Sequence, residues 1–200
     1  MVLLCCNYII NCDSGTDWTT VISSSGAVAI GILALLYSNR QSKNALNAKK
    51  DEEKRIDINR KLNEFYGPLY QLRKKSNLIY EKFREKYNSD PNFSTLTYLL
   101  DGKKFVGNDA ILLEEIIQIG KKCEELIHDK AGLIDDHHLR INIIPRATTH
   151  FLILRLAHQN ALVGEVEKFR NWTFPKELDD LLEARRKVLE AELNSLNQKE

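Results

Sequence analysis

The chain has 200 residues, with 29 Lys and Arg against 28 Asp and Glu, a formal net charge of +1 and 43% hydrophobic residues. That balance excludes a polycation built for nucleic acid, which needs a clean basic face or interleaved aromatics. With one long apolar run set aside, about 150 residues remain, enough for a single domain with its own core.

Residues 1–17 are expected to form a short head outside the cytoplasm. It holds Cys5, Cys6 and Cys12, which could bridge in an oxidising compartment. Spacing selects no pair and leaves one thiol over; the plainer alternative is that Val2 to Ile10 is apolar filler dipping into the membrane interface. A cleaved signal peptide is not expected, because the basic n-region and the small-residue cleavage site are missing in the required order.

From Trp18 to Tyr37 no residue is charged, and Asp17 and Arg40 bracket the run. At about 1.5 Å of rise per residue it reaches roughly 30 Å, the thickness of a bilayer core. Trp18 and Tyr37 stand at its ends, where amphipathic rings favour the headgroup level. Residues 18–38 therefore read as one transmembrane helix. Ser23, Ala27 and Gly31 recur every four residues, with Ala34 on the same side; small residues at that spacing let two helices approach closely in lipid, so self-association is expected. No Lys or Arg precedes the run, whereas Arg40, Lys43, Lys49, Lys50, Lys54 and Arg55 follow it. That asymmetry places the C-terminal body in the cytoplasm and the N-terminus outside the cell membrane.

Residues 39–57 are rich in both signs of charge and contain no Gly or Pro, which predicts a solvated helical stalk. From residue 58 to 200 the pattern predicts an all-α bundle of about four to five helices, with no period-two strand of useful length. Ile58, Leu62, Phe65, Leu69, Leu72, Ile79 and Phe83 form one apolar stripe, with Ser76 in the slot between. Gly67-Pro68 interrupts it, and because the stripe keeps phase across the proline the expectation is a kinked helix rather than two separate ones.

Asn88 to Asn92 reads as a turn, after which Ser94 caps a short helix through Leu100, closed by Asp101-Gly102. A long helix is expected from Asn108-Asp109, with Leu112, Ile116, Ile119, Cys123 and Leu126 inside. Cys123 reads as a small core residue. Arg146 to about Arg170 is apolar around most of its circumference and predicts the central helix of the bundle. Asn171 to Pro175 breaks it, with Trp172 and Phe174 expected to plug the bundle end. A last helix carries Leu178, Leu182, Leu189 and Leu196 on a narrow stripe, suited to a bundle edge or a coiled-coil seam.

Chemistry-bearing motifs are sparse. Asp136-His137-His138 has the letters of the DHH phosphoesterase signature without the α/β sheet or further aspartates that chemistry needs. HEPN-type ribonucleases separate Arg and His by four to six residues, whereas Arg146 and His150 have three between them and Arg155 and His158 two. No HExxH pair, Gly-rich phosphate loop or GxSxG turn occurs. The expectation is no catalytic, cofactor-binding or metal-ligating residue, hence no enzyme.

The run Leu62-Asn63-Glu64-Phe65-Tyr66-Gly67-Pro68-Leu69-Tyr70, after a single span and a charged stalk, resembles small one-span bacterial proteins, some of them similar to the membrane effectors of retron-type antiphage systems. The resemblance implies a toxin-like abortive-infection effector, held quiet by partner components and acting by damage to the inner membrane. The implied partners are the lipid bilayer, further copies of the chain, and a reverse transcriptase with its non-coding RNA through genetic neighbours, with no direct nucleic-acid binding. A non-toxic, membrane-tethered helical adaptor is the alternative.

Overall fold

The computed structural model describes residues 18–88, 90 and 93–198, with side chains from Leu35 onward. The head with Cys5, Cys6 and Cys12, and the side chains of Ser23, Ala27, Gly31 and Ala34, lie outside that set. The described residues are mostly helical, with no strand: α1 Trp18–Lys61, α2 Gly67–Arg84, α3 Thr95–Leu100, α4 Asn108–Asp129, α5 Ile144–His158, α6 Val166–Phe169 and α7 Glu177–Asn197. Among the described residues no helix is long and apolar enough to cross a membrane; most of the expected span, residues 18–38, falls outside the side chains described.

The chain divides into two units between Asp51 and Glu52. In the first, the backbone is helical from Trp18 and every described side chain from Leu35 to Lys50 is exposed, Leu35, Leu36 and Tyr37 included. The second unit is a helical bundle. Its first segment, from Glu52, passes through a π-turn at Leu62–Tyr66 into α2 without leaving helical dihedrals; Lys61, Tyr66 and Gly67 all have φ near −60°. In that turn the Gly67 N–H donates to the Leu62 carbonyl five residues back. The same device recurs at Leu139–Ile143, where the Ile144 N–H donates to the Leu139 carbonyl just ahead of Pro145. A proline inside a helix lacks its own donor and crowds the carbonyl four residues earlier, and a wider turn accommodates both faults without breaking the helix. At the first site the glycine allows a close approach, since a Cβ on Gly67 would stand 2.6 Å from the Leu62 carbonyl oxygen.

The apolar stripes become the core. Ile58, Phe65, Leu69 and Phe83 are buried, as are Ile116, Ile119 and Cys123 of α4 and Leu178, Leu182, Leu189 and Leu196 of α7. Burial pushes the Cys123 thiol up to about 12, so it is an inert small hydrophobe. Lys54 pairs with Glu192 at 3.1 Å, Arg55 donates to the Leu196 carbonyl, and Arg73 pairs with Asp179. Partner numbers fall along α7 as they rise along residues 54–73, so α7 lies antiparallel to this segment. Ser94 caps α3 as expected, its hydroxyl accepting from the Thr97 N–H.

Three expectations are corrected. The helix read from Arg146 to about Arg170 ends at His158: Asn160 turns into the left-handed region with φ 60°, and Gly164, at φ 88°, donates its N–H to the Leu100 carbonyl. The centre belongs to α4, which packs on α2 and on α5, while Leu152 of α5 faces outward at 41% exposure. Trp172 plugs nothing, being 44% exposed; Phe174 and Pro175 close that end instead. The buried side chains form two clusters, one centred on Phe65, Tyr66, Leu69 and α7, the other on Phe83, Leu100, Leu113 and Ile153.

Candidate ligand-binding cavity in the helical body

Where the two clusters meet, the bundle forms a partly open cavity of about 470 Å³, lined from α2, α3, α4, α5 and the segment entering α7. On α2 the lining residues are Arg73, Ser76, Asn77, Tyr80 and Arg84. Their spacing of three and four puts them on one face of the helix. Ser76, the polar residue in the gap of the apolar stripe, is 5% exposed. The opposite wall is Leu113, Ile116 and Ile117 of α4 and Leu154 of α5, with Thr95 and Leu96 from α3. Gly120 brings α4 against α5, since a Cβ there would meet the Phe151 ring at 3.1 Å.

One end of the cavity is held by an ion pair. Arg73, 6% exposed, grips Asp179 through Nε at 2.8 Å and Nη2 at 3.0 Å, and its Nη2 also donates to Asn77 Oδ1. Asn77 Nδ2 donates to Asp179 Oδ2 at 2.8 Å, and the Phe174 ring lies over the guanidinium with its centroid 4.0 Å from Cζ. Burial opposes ionisation of Asp179, but its hydrogen bonds from Arg73 and Asn77 outweigh that and hold its carboxyl below the usual range. His150 Nδ1 donates to the Trp172 carbonyl at 2.7 Å, and burial, with the positive charge of Arg73, lowers its pKa. The imidazole is therefore neutral at pH 7.

Two lining groups have no partner among the described residues. The Thr95 hydroxyl is buried on a residue only 8% exposed, and Arg84 Nε is likewise buried. A buried donor without an acceptor costs about 1–3 kcal/mol.

Of the chemistry-bearing residues weighed in the sequence, His150 lines the cavity and the others lie elsewhere. Gly67 and Pro68 start α2 beyond the cavity. Arg146 is tied to Glu177 at 2.7 Å and Arg155 to Glu124 at 2.5 Å, so neither arginine is free beside its histidine. Asp136 accepts from the Leu139 N–H, a helix-capping contact. Among the described residues no group of three or more His, Cys, Asp or Glu is placed to hold a metal ion. The LNEFYGPLY run is core material: Phe65, Tyr66 and Leu69 are all fully buried. The cavity was missed because its lining comes from five segments, with Arg73 and Asp179 separated by 106 positions; the one local signal was Ser76 in an apolar slot. Comparison with known protein families, with curated proteins and with solved structures finds no match.

Proposed function

We propose that the chain is a membrane-anchored effector of a retron-type antiphage system, acting by assembly in the inner membrane and damage to it when partner components release it. The observation that carries this is the uncharged run Trp18–Tyr37, on a backbone that is helical from Trp18 onward and whose described apolar end, Leu35, Leu36 and Tyr37, is exposed. The charge asymmetry around the run supports a single pass with the N-terminus outside and the bundle in the cytoplasm. One span satisfies its own backbone and lines no aqueous path, so damage needs several copies packed together. Ser23, Ala27, Gly31 and Ala34 supply the contact face.

Replacing Ala27 and Gly31 together by Leu raises apolarity, which keeps the span inserted, and blocks close helix approach. The doubly substituted protein is expected at normal level in the membrane, unable to depolarise cells or protect a culture from phage. Unchanged depolarisation and protection would remove the assembly step. A membrane-tethered adaptor without toxicity is the second reading, favoured by one observation: the run that carries the resemblance is buried core, which any helical body of this shape needs. Absence of both activities from the unaltered protein beside its genetic neighbours would select it.

A further inference from the structure

We infer that the cavity binds an amphipathic organic anion, with its acid group held at the Arg84 end. The inference stands on the bundle alone and holds for an effector or an adaptor. At about 470 Å³ the space is within the range of small-molecule sites, roughly 300–1,000 Å³. Three cations line it, Arg73, Arg84 and Lys176, against a single carboxylate, Asp179, which Arg73 takes. Arg84 is the exception among the arginines drawn into the bundle. Arg55, Arg73, Arg155, Arg185 and Arg186 are buried or half-buried and each pairs with a carboxylate, whereas half-buried Arg84 makes no ion pair or hydrogen bond with any described residue. A guanidinium withdrawn from water without a counter-charge is rare in a folded protein, and an anion in the cavity it lines supplies one. Arg84 stands three turns of α2 beyond Arg73, roughly 16 Å along the axis, so Asp179 does not serve both. Between them lies Ser76, 5% exposed and without a hydrogen bond to a described residue; its Oγ is not among the polar atoms sealed from solvent, so it opens on the cavity. Phe93, Phe151 and Phe174 share the wall with Leu113, Ile117 and Leu154, which suits an apolar body of either aromatic or alkyl kind. Carboxylate and phosphate both accept the two-pronged grip of a guanidinium, so the lining selects the sign of the charge and an apolar body rather than one acid.

The test uses the full chain in nanodiscs at neutral pH, with binding measured by equilibrium dialysis and empty nanodiscs subtracted for partitioning into lipid. The probes are three anions, 2-naphthoate, 2-naphthyl phosphate and octanoate, with neutral 2-naphthol, neutral octanol and cationic 2-naphthylmethylammonium for comparison. Saturable binding at one site per chain is expected for at least one anion, and the tightest of the three names the acid and the body. The neutral and cationic compounds should bind at least tenfold more weakly than that anion. Arg84→Gln should weaken it about tenfold or more, the scale of a lost hydrogen bond to a charged group, and Arg84→Lys should keep most of the affinity. The melting temperature of unliganded Arg84→Gln should be unchanged or raised, because the substitution removes no pairing within the bundle. No saturable binding of any anion, equal binding of the cation, unchanged affinity in Arg84→Gln, or a lowered melting temperature of that variant without ligand would overturn the site.

Discussion

Asp135 and Asp179 are both carboxylates gripped through Nε and Nη2 by an arginine from a distant helix, and the difference lies in what surrounds them. Asp135 accepts from Arg185 at 3.1 and 2.7 Å, from the Tyr66 hydroxyl at 2.8 Å and from Lys61 at 3.0 Å, so both oxygens are fully used. Burial opposes its ionisation, but these donors outweigh that and hold its carboxyl far below the usual range. The cluster ties the π-turn, the loop before α5 and α7 into one joint. Asp179 ties α2 to α7 in the same way, but beyond Arg73 the packing stops at a cavity and two donors stay unpaired. A cluster that satisfies all its groups fixes a fold; one that leaves donors unmet around a space has room for a ligand.

The largest effect that sharpens this contrast is expected from Asp179→Ala. It leaves the Arg73 guanidinium, 6% exposed, without its counter-charge. Breaking a buried pair in this way costs about 3–5 kcal/mol, readable as a fall in denaturation midpoint. Asp135→Ala should cost less, about 2–3 kcal/mol: it strands the buried Tyr66 hydroxyl, but Arg185 and Lys61 are 26% and 17% exposed and turn to water once released. The reverse order of the two losses would break the comparison.

Acidification divides the clusters as well. Asp135 and Asp179 have depressed folded-state pKa values, so their stabilisation is complete above the unfolded carboxylate value of about 3.9 and is lost as pH falls through the folded values. His150 is also depressed, so its contribution is complete above about 6.5 and declines as pH falls below that. Melting temperature should therefore fall in two limbs. His150→Asn should remove the upper limb and Asp135→Asn part of the lower one.

How much of this was legible follows from where each signal resides. The stripes of α2, α4 and α7 repeat within one helix, so Phe65, Leu69, Ile119, Cys123 and Leu189 are identified as core from spacing alone. The end of α5 was hidden because its segment is apolar around most of its circumference, and the left-handed turn at Asn160 is followed by Gly164 reaching the end of α3. Trp172 was misplaced because size argues for burial, whereas the neighbouring Phe174 covers Arg73 and takes that place. The cavity could not be read at all: Ser76 marks one polar point on an apolar stripe, and the partners that turn it into a wall come from helices whose packing no local spacing encodes.

The most direct measurement is a pair of single-hydroxyl deletions, Tyr66→Phe in the Asp135 joint and Thr95→Val in the cavity, compared by melting temperature in the full chain without added ligand. Tyr66→Phe removes a hydrogen bond to a carboxylate, worth about 1.5–3 kcal/mol, and should lower the melting temperature. Thr95→Val removes a buried hydroxyl that has no partner, and should raise it. Opposite signs are the expected result; a fall of similar size in both variants would contradict the distinction between a closed structural joint and an open ligand site.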